Sequence, residues 1–408
     1  MPSSDSADLI VIGAGPAGTA AAITARRAGL SVIVVDKARF PRDKCCGDGL
    51  TTLALRQLES LGFDPSSVPS WQDVDEAWLR SPSGREVRLP LPRAGRYAAV
   101  TPRIELDQSL VDLAQSCGAD IREGRTFAGL NVLDDSLVVT TTSEVDGDER
   151  IRAPWIVAAD GMWSPVRRSL GLTPPEYLGE WHAFRQYASN VTGPAAHRLI
   201  VWFDEDLLPG YAWSFPLPGN RANFGFGVLR DGERRGRDMK QLWSELLERR
   251  HIKDALGPDV VMEGRPTAWP IPARIDTAVT GAGRVLFAGD AAMATDTLTG
   301  EGIGQALLTG VEAARAIVAG GDPVDVRREY RRAIDHHLLA DHRMSERLSR
   351  VLARRRGARG AIAVLDHAGG WGREKFARWM FEDEPRAVLL TPRRWHRRVL
   401  RQDGAYRS

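Results

Sequence analysis

The sequence predicts an α/β fold, with a parallel-sheet domain, an antiparallel second domain and a helical C-terminal region. Two observations carry this. The chain opens on an apolar run, Leu9-Ile10-Val11-Ile12, followed by a glycine turn, an Ala-rich segment and a second apolar run, Val32-Ile33-Val34-Val35. Strand and helix signals alternating in this way build parallel sheets. Between residues 180 and 275, short strand-like runs are instead separated by Leu208-Pro209-Gly210 and Pro218-Gly219-Asn220, the punctuation of an antiparallel meander.

The first turn reads Gly13-Ala14-Gly15-Pro16-Ala17-Gly18, and the second apolar run ends on Asp36-Lys37. This is the pattern of a Rossmann-like dinucleotide site. Gly13 permits the turn, Gly15 admits a pyrophosphate to the backbone, and Gly18 lets helix and strand pack closely, while Pro16 and Ala17 open the helix. Asp36 ends the second strand, where an acid accepts hydrogen bonds from a ribose.

Three regions follow along the chain. The dinucleotide-binding domain is discontinuous, over residues 1–75, 95–175 and 276–320. It includes a helix from Thr101-Pro102-Arg103 to Ser116, strands at 126–131, 137–141 and 150–158, and the strand Arg284–Ala288 before a helix rich in Ala, Leu and Gly. The substrate-capping antiparallel domain takes residues 76–94 and 176–275, with strands at 199–203, 211–215 and 223–229 and a helix over 238–250. Residues 321–408 read as helices broken near Gly357–Gly360 and Gly369–Gly372.

Bulk properties narrow the class. The 408 residues exceed one small core, and 43% hydrophobic content is that of a globular protein. No apolar run reaches the roughly 18 residues of a membrane span. The N-terminus has no basic region, so no signal peptide is expected. Cys45, Cys46 and Cys117 make no disulfide framework and fit a reducing compartment. The net charge of +2 gives no reason to expect nucleic acid, although Arg343–Arg359 and Arg393–Arg401 are dense in arginine. Those stretches are either solvated helical faces or a contact for acidic headgroups. The eight histidines show no metal spacing, and His336, His337 and His342 read as a solvated helical face, so no metal is expected.

Four further segments share nucleotide-binding logic. Phe40-Pro41-Arg42-Asp43-Lys44-Cys45-Cys46-Gly47-Asp48-Gly49 is short, basic and glycine-bearing. Asp160-Gly161 and Gly289-Asp290 follow buried-looking strands, where ligands sit in open α/β sheets. Gly300-Glu301-Gly302-Ile303 opens a helix whose first amides are expected to be free for an anion.

Together these segments resemble FAD-dependent oxidoreductases of the glutathione-reductase-like class, which includes aromatic hydroxylases, and most closely the geranylgeranyl reductase family. Pro41–Gly49 is similar to that family's Pro-Arg-x-Lys-Pro-Cys-Gly-x-Gly segment, with Cys45 where proline is usual. Tyr211-Ala212-Trp213-Ser214-Phe215-Pro216, eight residues, then Gly225-Phe226-Gly227 is similar to its Tyr-x-Trp-x-Phe-Pro signature. The resemblance covers residues 8–310 and implies FAD as cofactor, with Arg42, Cys46, Gly47, Arg103, Phe127, Asp160, Gly289, Asp290, Gly300, Gly302 and Ile303 joining the first turn, Asp36 and Lys37 around it. It implies reduction of isoprenoid double bonds, with NADPH, NADH or ferredoxin as candidate electron donors.

The signature has its own physics. Tyr211, Trp213 and Phe215 share one strand face and make an aromatic wall, and Gly225 and Gly227 leave space beside it. The alternative is that these aromatics are the core of the second domain; Trp202 and Trp269 either join the wall or, taken singly, belong to that core. Cys46 is the candidate catalytic residue, a proton donor or gate, against the alternative of a small residue fitting a tight loop. The expected function is hydride transfer from reduced FAD to an apolar isoprenoid. The rivals are a flavin monooxygenase acting on an aromatic or polyketide compound and a non-catalytic flavin-binding redox partner. The expected location is cytoplasmic, free or peripherally attached at the inner face of the membrane, with Ala377–Phe381 and Val388–Arg401 as surface-lying segments.

Overall fold

The computed structural model describes residues 5–230, 236–383, 385–387 and 403–407. Its centre is a six-stranded sheet in the order Gly281–Ala282, Val285–Phe287, Trp155–Ala158, Leu9–Ile12, Val32–Asp36, Asp120–Glu123. All neighbours are parallel except the edge hairpin of the first two. Leu9–Ile12 and Trp155–Ala158 are buried along their whole length, as continuous apolar strands covered on both faces must be. The helices Pro16–Arg27 and Ile303–Ala319 pack on each other at this sheet. Their backbones meet closely at Gly310, where a Cβ would stand 2.1 Å from the Ala17 oxygen.

A seven-stranded sheet runs Val261–Ile271, Trp181–Ser189, Arg221–Leu229, Tyr211–Leu217, Leu199–Trp202, Glu76–Arg80, Glu86–Pro90. It is antiparallel except between Leu199–Trp202 and Glu76–Arg80. Trp202, Phe224, Phe226 and Trp243 form a buried cluster with this sheet, so Trp202 is core and not part of the aromatic wall. Val87, Leu89 and Val201 instead join Ile362, Leu365, Ala377 and Phe381 of the C-terminal helices.

Several expectations change. The segment 150–158 is two strands, Glu149–Ala153 and Trp155–Ala158, in different sheets, because the chain crosses between sheets at Pro154. The helix expected over 238–250 is a pair, Gly236–Glu248 and Arg250–Leu256. The C-terminal helices are Pro323–Ile334, Ala340–Leu352, Arg355–His367 and Gly369–Met380, with a π-helical turn at Asp335–Leu339. The break falls before Arg355, and the helix continues through Gly357 and Gly360. His342 is buried and not on a solvated face. Ala377 and Phe381 are buried too, so 377–381 is not a surface-lying segment. Residues 388–401 lie outside the described residues.

Candidate active site

One cavity of about 970 Å³ runs from the first glycine turn across the face of the seven-stranded sheet to the C-terminal helices. Gly13, Gly15, Pro16, Ala17, Asp36, Lys37, Arg42, Cys46, Gly47, Arg103, Phe127, Asp160, Gly289, Asp290, Gly300, Gly302 and Ile303 line it, as do Tyr211, Trp213, Phe215 and Gly227. Gly18 and Gly225 do not. A Cβ on Gly18 would lie 1.7 Å from the Gly13 oxygen, so its task is packing the helix onto the turn. A Cβ on Gly225 would lie 2.4 Å from both the Phe184 oxygen and Trp213 Cζ2, so this glycine makes room for Trp213 and not for a ligand.

The residues at the first turn fit a dinucleotide. Gly15 is the N-cap of Pro16–Arg27, and no side chain caps that helix. Its first amides therefore have no intrahelical acceptor and aim at whatever lies beyond the turn. A Cβ on Gly15 would meet only Arg42 Nη2, at 3.7 Å, which leaves an open cradle beside a cation. Asp36 accepts hydrogen bonds from the amides of Ala14 at 2.7 Å and Ala38 at 2.8 Å, which fix the turn against the strand end. Arg42 and Arg103 both pair with buried Asp107, at 2.8 and 2.7 Å, and so hold their positions on the wall. Asp160 accepts from the Val166 amide at 3.0 Å, and burial pushes its carboxyl up to about 6.

The start of the helix Ile303–Ala319 differs from expectation. Its amides at Ile303 and Gly304 donate to Oε1 of Glu301, each at 2.9 Å, so they are not free for an anion. A carboxyl oxygen just before a helix satisfies its orphan amides whether or not the group is charged. Burial and the nearby Glu382 raise Glu301, and burial likewise raises Glu382. Glu382 accepts from Thr51 at 2.9 Å and from Gln305 at 3.1 Å, tying the end of the C-terminal helices to the site.

Around Cys46 a buried network joins loop and sheet. Asn223 Nδ2 donates to the Cys46 carbonyl and to Asp48 Oδ2, both at 2.8 Å, and Tyr187 donates to the same Asp48 oxygen at 2.8 Å. Trp213 Nε1 donates to Asn223 Oδ1 at 3.2 Å. Burial pushes Asp48 up to about 6 and the Cys46 thiol up to about 12, so the thiol is protonated at neutral pH. The loop lies against the aromatic strand, where a Cβ on Gly49 would be 2.9 Å from Phe215. Lys44, brought down to about 8 by burial, sits 3.2 Å from the ring centre of Trp269.

Sequence reasoning missed three parts of this site. Asp48 lies in the Phe40–Gly49 loop, whose sequence alone does not mark it as the buried acceptor of Asn223 and Tyr187. Glu301 and Glu382 are brought together only by the tertiary fold. The apolar lining from Leu348, Leu352, Ile362, Leu365, Phe376 and Met380 comes from helices whose amphipathic pattern does not tell a core from a cavity.

A family profile described as FAD binding domain matches residues 6–319. The chain is 32% identical over 366 residues to a menaquinone reductase of Mycolicibacterium smegmatis, covering 85% of this chain and 84% of that one. It is 31% identical over 316 residues to a digeranylgeranylglycerophospholipid reductase of Methanopyrus kandleri, covering 74% and 78%. A geranylgeranyl bacteriochlorophyll reductase-like protein from Thermoplasma acidophilum superposes with a TM-score of 0.77 at 20% identity, over 96% of this chain and all of that one. A point mutant of the halogenase PltM, solved with FAD, superposes at 0.70 and 16% identity, over 92% and 83%; both superpositions are likenesses of fold alone.

Proposed function

We propose that this chain, which belongs to the FAD binding domain family and is an FAD-dependent oxidoreductase of the geranylgeranyl-reductase type, reduces carbon–carbon double bonds in the isoprenoid chain of a lipid or quinone. The observation that carries this reading is the continuity of one cavity from the first glycine turn, past Cys46 and the aromatic strand, to the apolar C-terminal helices. A polyprenyl tail along that lining gains about 0.8 kcal/mol for each CH₂ removed from water. The relatives' names, menaquinone reductase and digeranylgeranylglycerophospholipid reductase, support the same class of substrate.

In this reading Gly13, Gly15, the start of the first helix and Arg42 hold the pyrophosphate. Asp36, Lys37 and Phe127 serve the adenosine end. Asp160, Gly289, Asp290 and Arg103 serve the middle of the cofactor, and Gly300, Gly302 and Ile303 lie beside the ring. When bound, FAD supplies hydride to one alkene carbon. Cys46, which burial keeps protonated, gives its proton to the other and takes one back from solvent before the next turnover. Tyr211, Trp213 and Phe215 orient the chain, and Gly227 leaves it room. NADPH, NADH or a ferredoxin is the proposed source of electrons.

No helix among the described residues is long and apolar enough to cross a membrane. A bilayer-borne substrate then calls for peripheral contact, and exposed Val364 and Trp371 on the C-terminal helices support one. The experiment is mass analysis of lipids and quinones in a strain lacking the protein. The expected result is a polyprenyl species lighter by one H₂ per unreduced bond. Unchanged lipids and quinones, with oxygen uptake by the purified protein on an aromatic compound, would replace this reading with hydroxylation.

A further inference from the structure

The helix Ala340–Leu352 turns His342, Ser345, Glu346 and Ser349 to one face, since residues three and four apart are neighbours on a helix. Ser345 donates to Asp296 Oδ2 at 2.7 Å and Ser349 to the Thr297 oxygen at 3.3 Å, so this face rests on the segment leading to Gly300 and Gly302. At the start of the same face stands His342, 4% exposed. Neither of its ring nitrogens has a hydrogen-bond partner among the described residues. Nε2 stands 3.4 Å from Asp276 Oδ1 without making a hydrogen bond to it. Buried polar groups are rarely left in this state, and a missing ion is one of the standard explanations.

We propose that Asp276, His342 and Glu346 bind a divalent first-row transition cation, at a site separate from the reaction cavity. One donor atom from each of the three lies within 4.8 Å of the others. Ligands about 2.0–2.2 Å from a common ion stand ~3–4 Å apart, so a small inward movement of these side chains completes the shell. One imidazole nitrogen with two carboxylate oxygens favours zinc, iron, cobalt or manganese over calcium or magnesium, which take oxygen ligands alone. The charge also fits. Two carboxylates face the site, while the neighbouring cation Arg331 is engaged by the backbone oxygens of Ile275, Asp276 and Ala278 at 3.2–3.3 Å and by Asp335 at 2.8 Å, and Arg350, 75% exposed, stands 3.8 Å from Glu346 and can turn to solvent. Asp276 and Glu346 are 28% and 39% exposed, which gives the ion an entry path and leaves its outer positions to water. None of the three residues lines the cavity. The ion would clamp the start of the helix to the segment after Val261–Ile271, one turn from the Ser345–Asp296 bond that holds the glycine loop.

The test is titration of chelator-stripped full-length protein with Zn²⁺ by calorimetry, and with Co²⁺ by its visible spectrum. The expected result is one ion per chain, with binding weakened about a hundredfold or more in both His342→Gln and Glu346→Gln. Chelation should lower the melting temperature of the wild type and leave that of Glu346→Gln unchanged. Absence of stoichiometric binding would overturn the site and leave a plain His–Asp ion pair. Binding retained in His342→Gln would place the ion elsewhere and overturn it equally.

Discussion

Asn223 and Cys46 lie 177 positions apart in sequence, yet the Asn223 side-chain amide donates to the Cys46 carbonyl at 2.8 Å. The same nitrogen reaches Asp48 at 2.8 Å, and the Asn223 oxygen takes the Trp213 indole N–H at 3.2 Å. One buried asparagine therefore registers the cysteine loop against the aromatic strand. Asn223→Ala should cost about 1–3 kcal/mol of stability, the penalty for buried acceptors left unpaired. Chemical denaturation checks this, and a loss within experimental error of zero would mean that the loop is held by other contacts.

Cys46→Ala should keep FAD and slow alkene reduction by about 10²–10⁴-fold, the scale of lost acid–base assistance. Cys46→Ser should recover part of the rate, since a hydroxyl can still deliver a proton. A rate of wild-type size in Cys46→Ala would reduce the residue to loop packing.

Gly15 and Gly18 should fail differently. Gly15→Val places its side chain in the open cradle, where the nearest atom to a Cβ is 3.7 Å away, so the protein should fold and lack FAD. Gly18→Ala drives a methyl to 1.7 Å from the Gly13 oxygen, so it should lower the melting temperature as well. Flavin absorbance and thermal melting separate the two. A Gly15→Val protein with stoichiometric FAD would remove the pyrophosphate from this turn.

Glu301 is raised by burial and by Glu382, so the folded protein keeps a proton that the unfolded chain has released. Above the unfolded carboxylate value of about 4.3, stability then falls as pH rises, until the folded group also ionises. Glu301→Gln keeps an acceptor for the Ile303 and Gly304 amides without the charge. Its melting temperature should gain on the wild type between pH 5 and pH 7.5. A difference that does not change with pH would show that Glu301 is ionised in the fold.

The elements most legible in the sequence were those that local chemistry decides. The Leu9–Ile12 and Val32–Asp36 runs, the turn between them and the strand Tyr211–Leu217 are read from periodicity and glycines. What stayed hidden depends on distant partners. Nothing local distinguishes Glu149–Ala153 from Trp155–Ala158 except Pro154, although they enter different sheets. Gly357 looks like a helix break, yet tertiary packing carries the helix through it. Glu301 meets Glu382, and His342 meets Asp276, across segments that no spacing rule connects. An amphipathic stripe does not name what it faces, so Ala377–Phe381 reads as a surface segment although Ala377 and Phe381 are buried.

In the proposed reading this cavity joins a flavin to an isoprenoid double bond. It is tested most directly by an anaerobic single turnover, mixing protein carrying reduced FAD with a geranylgeranyl lipid or a menaquinone and following flavin absorbance and product mass. The flavin should reoxidise without oxygen while the polyprenyl chain gains one H₂ per flavin, and Cys46→Ala should slow both together. Flavin that stays reduced until oxygen is admitted, with an oxygen atom then found in an added aromatic compound, would contradict it.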